Sequence, residues 1–234
     1  MNRLTITDLK EIINGHRSYS YSEQDIANAL KSFNFLKSFS KNNLVYGVNT
    51  GFGPMADFKV NKEDQIKLQY NLIRSHSSGM GAVLPTKVVK IIMIIRLHTF
   101  LQGKSGVSQS LINTLSNYID NGICPDIYEH GGVGASGDLV QLAHLALGII
   151  GEGKGVNNKD EKDHISKLIK ESNLQPHKLE LRDGLAMING TACMTALSAI
   201  NIINSKILIK WSVKISAMML EIFGSYDDYI SKEL

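Results

Sequence analysis

From Thr191 to Ile222 the chain runs without a glycine or a proline. An α-helix of that length reaches roughly 45–50 Å at 1.5 Å per residue. Its apolar residues do not keep to one stripe: Ile200, Ile203, Ile207, Leu208, Trp211, Ile215, Met218 and Met219 fall around the helix. A helix that is apolar on more than one face belongs inside a bundle. Only Tyr226 to Leu234 follows it. Its covering surface is therefore expected from other subunits, or from partner helices that this chain lacks.

The preceding residues are read as helices almost throughout. Ser22 with Asp25 three residues on marks an N-cap before the stripe of Ile26, Leu30 and Phe33. Asn61 is placed to cap a helix carrying Ile66 and Leu72, and Pro85 opens another that Gly103 ends. Ser108 to Asn121 repeats the pattern, with Gly122 after it. Leu139 to Ile150, a short piece at Ile165 to Glu171, and Leu179 to Ile188 complete the set, and Gly151 to Asp160 reads as an exposed loop. The fold expected is mainly α. An N-terminal helical domain, residues 1–190, leads into the start of a central long-helix bundle, residues 191–234.

Of 234 residues, 43% are hydrophobic and 20% charged, the balance of an ordinary globule. Net charge is +3 and no run of five like charges occurs, so nothing points to nucleic acid or to a membrane surface. The apolar run Ile91 to Ile95 lies between Lys90 and Arg96 and is too short to cross a bilayer. Met1 to Lys10 is polar and lacks the pattern of a secretory leader. The 2 cysteines, Cys124 and Cys193, make no disulfide framework and have no zinc-site spacing. A cytoplasmic protein without a metal is expected.

The chemistry concentrates in Gly131-Gly132-Val133-Gly134-Ala135-Ser136-Gly137-Asp138, directly before the helix at Leu139. The stretch matches G-x-G-x-x-G, but the run before it, Asn121 to His130, contains Gly, Pro and several polar groups. It does not read as the buried parallel strand that a dinucleotide site needs, and no Walker ending follows. A nucleotide is not expected. A second reading uses the backbone itself. The Gly137 nitrogen can attack the Ala135 carbonyl carbon and close a five-membered ring across Ser136. Loss of water from that ring and from the Ser136 hydroxyl leaves an exocyclic methylidene, an electrophile. The residue types suit it: Ala is small, Ser carries the leaving group, and Gly leaves its nitrogen unhindered. The third reading is a plain capped turn.

With Leu142-Ala143-His144 following, G-A-S-G-D-L resembles the signature of the aromatic amino acid ammonia-lyases, the histidine, phenylalanine and tyrosine lyase family. Three further stretches resemble it in the same order: Tyr46-Gly47-Val48-Asn49-Thr50-Gly51-Phe52-Gly53, Leu68 to Gly79, and Gly184 to Thr191. The resemblance implies a fumarase/aspartase-like helical fold and a methylidene-imidazolone formed from Ala135, Ser136 and Gly137. It implies Tyr46 as the base that removes the β-proton, which a phenolate can do in a positive environment. Ser75, His76, Gly53 and Leu139 would contact substrate. Asn189 would hydrogen-bond the imidazolone carbonyl, and Asp138 would orient the ring-forming loop. Arg96 reads as structural. His76 taken alone would more often be a helix histidine with its bonds satisfied.

The implied reaction removes ammonia from L-tyrosine, giving p-coumarate, or from L-histidine, giving urocanate. Ser75-His76 resembles the histidine lyases, and the wider run around Arg74 leans to tyrosine lyases. A homotetramer with sites shared between subunits is implied, with no nucleic-acid or membrane partner. Two alternatives remain: an aromatic amino acid 2,3-aminomutase, and a catalytically incomplete fragment or paralogue that acts as an assembly subunit. Gln141 stands where many relatives have Pro, and His98 where many have Asn. The family's C-terminal half, with a further Tyr, the carboxylate-gripping Arg and a Glu, has no counterpart here.

Overall fold

The computed structural model describes residues 3–133 and 139–232. Among them the chain is mainly helical: α1 Ile6–Ile13, α2 Glu23–Phe39, α3 Lys62–His76, α4 Thr86–Leu101, α5 Gln109–Asp120, α6 Leu139–Ile149, α7 Ile165–Glu171, α8 Asp183–Ile188 and α9 Ala192–Ile222. Helix α4 is the hub. Val89, Ile92, Met93, Ile94, Leu97, Phe100 and Leu101 on it are fully buried, and α1, α2, α5 and α9 pack around it. A helix enclosed on several sides needs apolar residues all round, and Ile91 to Ile95 supplies them.

The helix ends follow local chemistry. Ser22 and Asp25 form a capping box, the Asp25 carboxylate accepting from the Ser22 N–H at 3.0 Å. Thr5 and Asp8 do the same for α1, which the sequence reading left unplaced. Ser108 Oγ accepts from the Leu111 N–H at 3.2 Å at the start of α5. Asn61 occupies the N-cap of α3, but its side chain makes no capping bond. Helix α8 begins at Asp183 rather than at Leu179. Leu181 has φ +45°, left-handed backbone that an α-helix cannot pass through.

Among the described residues five short strands, which the sequence reading did not place, accompany the helices: β1 Met80–Val83, β2 Cys124–Pro125, β3 Tyr128–His130, β4 Lys154–Val156 and β5 Lys162–His164. All pair antiparallel, β1 with β3 and β4 between β2 and β5. Strands of two to four residues are too short to show an alternating pattern. What fixes β4 is Gly155. A Cβ there would stand 2.5 Å from Ile165 Cδ1 and 2.6 Å from the Cys124 carbonyl. The stretch read as an exposed loop therefore contains a three-residue strand, with Gly155 buried.

Helix α9 matches its expected span to within one residue. Ala192, Cys193, Ala196, Ala199 and Ile203 are buried, and this end packs on α4 and α1. Beyond Ile203 the apolar side chains lie open, Ile209 at 63% and Trp211 at 59% exposure. The helical stretch Asp183–Ile222 is long and apolar enough to cross a membrane by length and composition, but its first turns belong to the protein core.

Candidate active site

The loop that carries Tyr46 is pinned from several directions. Asn49 is buried, and its Oδ1 accepts from the Val45 N–H at 2.8 Å. Its Nδ2 donates to the Ser40 and Asn43 carbonyls at 2.9 Å each, tying the loop to the end of α2. Thr50 forms an antiparallel bridge with Lys59. Gly47 has φ +72°, and a Cβ there would overlap Leu185 Cδ2 on α8, so only glycine fits. Gln69 on α3 completes the seat. Its Nε2 donates to the Gly47 carbonyl at 2.9 Å and its Oε1 accepts from the Leu185 N–H at 2.8 Å.

On this fixed backbone the Tyr46 ring is 46% exposed. It stands edge-on to Phe52, with centroids 6.2 Å apart, and its hydroxyl accepts from the Gly53 N–H at 3.3 Å. Gly53 therefore touches Tyr46 directly. Arg182, at the start of α8, is near enough for electrostatic coupling to Tyr46. Burial lowers the Arg182 pKa, and the coupling to Tyr46 opposes that shift. A second guanidinium lies beyond it. Arg96 is 4% exposed; burial first, and the charge of Arg182 second, bring its pKa down to about 10. The Nε atoms of both arginines are buried without a hydrogen-bond partner.

Asn189 caps the C-terminus of α8. Its backbone carbonyl accepts from Arg96 Nη2 at 2.8 Å, and its side chain is left exposed. Gly190 follows because a Cβ there would overlap Arg96 Nη1. The other end of α8 is held by Asp183, which is fully buried. Its carboxylate accepts from the Ser108 N–H at 3.0 Å, the Ser108 hydroxyl at 2.7 Å, the Glu180 N–H at 3.1 Å and His177 Nε2 at 2.9 Å.

His76 ends α3. Its Nδ1 lies 2.9 Å from the Leu72 carbonyl, and a carbonyl only accepts, so Nδ1 carries the proton. In the neutral ring Nε2 is then an acceptor, and it has no partner among the described residues. Ser75 Oγ donates to the same Leu72 carbonyl at 3.1 Å and sits 3.1 Å from His76 Nδ1. Three residues on, the Gly79 N–H donates to His144 Nε2 on α6 at 2.9 Å. Burial holds the His144 pKa below its ordinary value, consistent with that acceptor role.

Ala135, Ser136, Gly137 and Asp138, the residues of the ring-forming reading, lie outside the described residues; the residues on either side of them are described. Gly131 and Gly132 press on the first turn of α6. A Cβ on Gly131 would stand 2.7 Å from Val140 Cγ1, and one on Gly132 would overlap Gln141 Oε1. That oxygen is buried and unpartnered, while Gln141 Nε2 donates to the Glu129 carbonyl at 3.2 Å. Leu139, the first residue of that helix, is half-buried against the core. Among the described residues no group of three or more His, Cys, Asp and Glu side chains comes together to hold a metal.

Helices α3, α6 and α8 pack on one another. The Tyr46 loop is seated on α3 and α8 through Gln69, and the Gly79 N–H, just after the end of α3 that carries Ser75 and His76, is bonded to His144 on α6. The family profile described as aromatic amino acid lyase matches residues 4–234. The chain belongs to the aromatic amino acid lyase family. A histidine ammonia-lyase of Staphylococcus saprophyticus is 36% identical over 98% of this chain and 47% of its own length. The crystal structure of histidine ammonia-lyase from Trypanosoma cruzi superposes with a TM-score of 0.88 at 26% identity, over 96% of this chain and 44% of that one. Tyrosine aminomutase from Streptomyces globisporus superposes at 0.76 with 34% identity, over 84% and 37%. The chain thus spans about half the length of the curated relatives it matches. The described residues share the mainly helical, fumarase/aspartase-like fold of these relatives.

The sequence missed Gln69, Arg182 and the His144–Gly79 bond as parts of this arrangement. Gln69 left one trace. It stands three, four and seven residues before Leu72, Ile73 and His76, a polar residue on the buried stripe of α3. Arg182 left none, since its partners are distant in sequence.

Proposed function

We propose that this chain forms the electrophile-bearing half of an ammonia-lyase site that eliminates ammonia from an aromatic L-amino acid with a polar ring, L-histidine before L-tyrosine. The observation that carries the polar ring is the His76 tautomer. An acceptor at Nε2 complements the N–H of an imidazole or the O–H of a phenol, and a phenyl ring offers neither. Histidine takes precedence because the S. saprophyticus relative bears the name of a histidine lyase. A second reading, an aminomutase, rests on the likeness to tyrosine aminomutase.

The imidazolone closed from Ala135, Ser136 and Gly137 would supply the electron sink for loss of the amine. Tyr46 takes the β-proton, from a loop whose backbone is fixed and whose ring remains open to substrate. Arg182 lies near enough to Tyr46 for electrostatic coupling. Asn189 would hydrogen-bond the imidazolone carbonyl, and Asp138 would orient the loop that forms the ring. Ser75, Gly53 and Leu139 border the substrate. The chain assembles as a tetramer in the cytoplasm, the open face of α9 covered by other helices of a central bundle that begins near residue 191.

The test is a chimera in which this chain replaces the matching half of the S. saprophyticus relative. Each aromatic amino acid is supplied, and the unsaturated acid is followed by its ultraviolet absorbance. Mass spectrometry of the peptide spanning residues 131–140 reads the ring, which is two waters lighter than the linear sequence. Turnover of L-histidine with the lighter peptide is expected. A folded chimera with an unmodified tripeptide and no turnover would refute the reading. A β-amino acid as the main product would replace it with the aminomutase.

A further inference from the structure

We infer that Gln69 is a positioning residue: its buried carboxamide locks the Tyr46 loop to α8, and so sets the place of the base relative to Asn189. This rests on the assignment of Tyr46 as the base. Gln69 is 1% exposed. The orientation of its amide is fixed by its partners, because the Gly47 carbonyl can only accept and the Leu185 N–H can only donate. The two bonds therefore run one way through the side chain, from the Leu185 N–H into Oε1 and from Nε2 into Gly47. No other neutral side chain of this length offers a donor and an acceptor so placed.

The surroundings are shaped to the same contact. Gly47 has no side chain where Leu185 presses on it, and a Cβ on Gly184 would stand 2.8 Å from Gln69 Oε1. Three chain segments thus meet at one amide, with glycine wherever two of them touch. Tyr46 is one residue from the first bond. Asn189 is four residues from the second, and its own N–H donates back to the Leu185 carbonyl at 3.0 Å. The residue donating to Gln69 is therefore the one that accepts from Asn189. Loss of the amide would unseat the loop without removing any group that touches substrate.

Two variants separate this role from mere packing. Gln69→Leu keeps most of the volume and removes both bonds. Gln69→Glu keeps an acceptor for Leu185 and sets a carboxylate oxygen against the Gly47 carbonyl. Hydrogen exchange is measured on this chain itself by mass spectrometry. In Gln69→Leu the 44–53 segment is expected to exchange about 5- to 150-fold faster, the range for losing one buried hydrogen bond. Segments of α5 and α7 should keep their wild-type rates. In Gln69→Glu the loop should quicken as much, while the Leu185 amide stays protected. Unchanged exchange in the loop, or equal quickening everywhere, would overturn the clamp.

Kinetics in the chimera then test its link to the base. A base displaced by about 1 Å costs on the order of 10²-fold in kcat, with KM and the lighter tripeptide kept. A loop that loosens while kcat stays at the wild-type value would overturn the assignment of Tyr46, and the positioning role with it.

Discussion

Replacing Gly190 with alanine tests the support under Asn189. The added methyl would overlap Arg96 Nη1, and the guanidinium has little room to yield, since Arg96 is 4% exposed and lies 4.8 Å over the Phe100 ring. Overpacking of this kind costs about 1–3 kcal/mol. Moving the guanidinium also breaks its 2.8 Å bond to the Asn189 carbonyl, and a bond from a charged donor contributes about 1.5–3 kcal/mol. Together these give about 2.5–6 kcal/mol, a large part of the roughly 5–15 kcal/mol that holds a domain folded. For a domain of this size that is a drop in melting temperature of about 5–20 °C.

The clash and the lost bond share one partner, so a second substitution separates them from a general cost of alanine at this site. Arg96→Met keeps an apolar stem over Phe100 and removes the guanidinium that the methyl strikes. It loses the Asn189 bond by itself. Once that group is gone, adding Gly190→Ala should cost little more. The double variant should be less destabilised than the sum of the single ones by nearly the whole cost of Gly190→Ala alone, about 2.5–6 kcal/mol, read from thermal or urea unfolding. Additivity within about 0.5 kcal/mol would show that Gly190 and Arg96 do not meet as described.

Three further outcomes test the proposed chemistry in the chimera. Ser136→Ala removes the only β-hydroxyl in the tripeptide. It should abolish the two-water mass deficit and turnover while leaving circular dichroism unchanged; turnover without the deficit would contradict the ring. Tyr46→Phe keeps the ring edge against Phe52 and loses the proton acceptor. Turnover should fall by roughly 10²-fold with the electrophile's absorbance intact. His76→Phe should shift preference toward L-phenylalanine by about 5- to 150-fold in relative kcat/KM, the equivalent of ~1–3 kcal/mol for a polar group left unpaired. Equal preference in wild type and variant would place selectivity elsewhere.

The fold was legible where the chain states its own boundaries. Ser22 with Asp25, Pro85 with Gly103, and the unbroken run from Thr191 fix helices through contacts within one or two turns. The strands were not legible, because β2 and β4 are two and three residues long and owe their pairing to Gly155 packing against Ile165, which no local pattern encodes. The site divides in the same way. Tyr46, His76 and Asn189 stand in stretches that resemble the family, and that resemblance names them as candidates. Their supports could not be named in this way. Gln69 and Leu185 are 116 residues apart, Ser108 and Asp183 are 75 apart, and Arg96 and Asn189 are 93 apart. Such bonds exist only after the helices have packed, and each support looks in the sequence like an ordinary polar residue in a helix or at its end.

That division has a physical consequence for how the site works. Among the described residues, backbone near Tyr46, Asn189 and His76 is held by buried polar groups: Gly47 by Gln69, the Asn189 carbonyl by Arg96, the start of α8 by Asp183, and Gly79 by His144. The tips are left open. Tyr46 is 46% exposed, Asn189 is exposed, and His76 Nε2 has no partner among the described residues. A buried polar group costs free energy unless its bonds are made, so the supports hold one arrangement whether or not substrate is present. The tips meet no such demand until substrate, or the remaining helices of the assembly, arrives to take their free donors and acceptors. Rigid carriers with unsatisfied tips are what catalysis by fixed geometry needs.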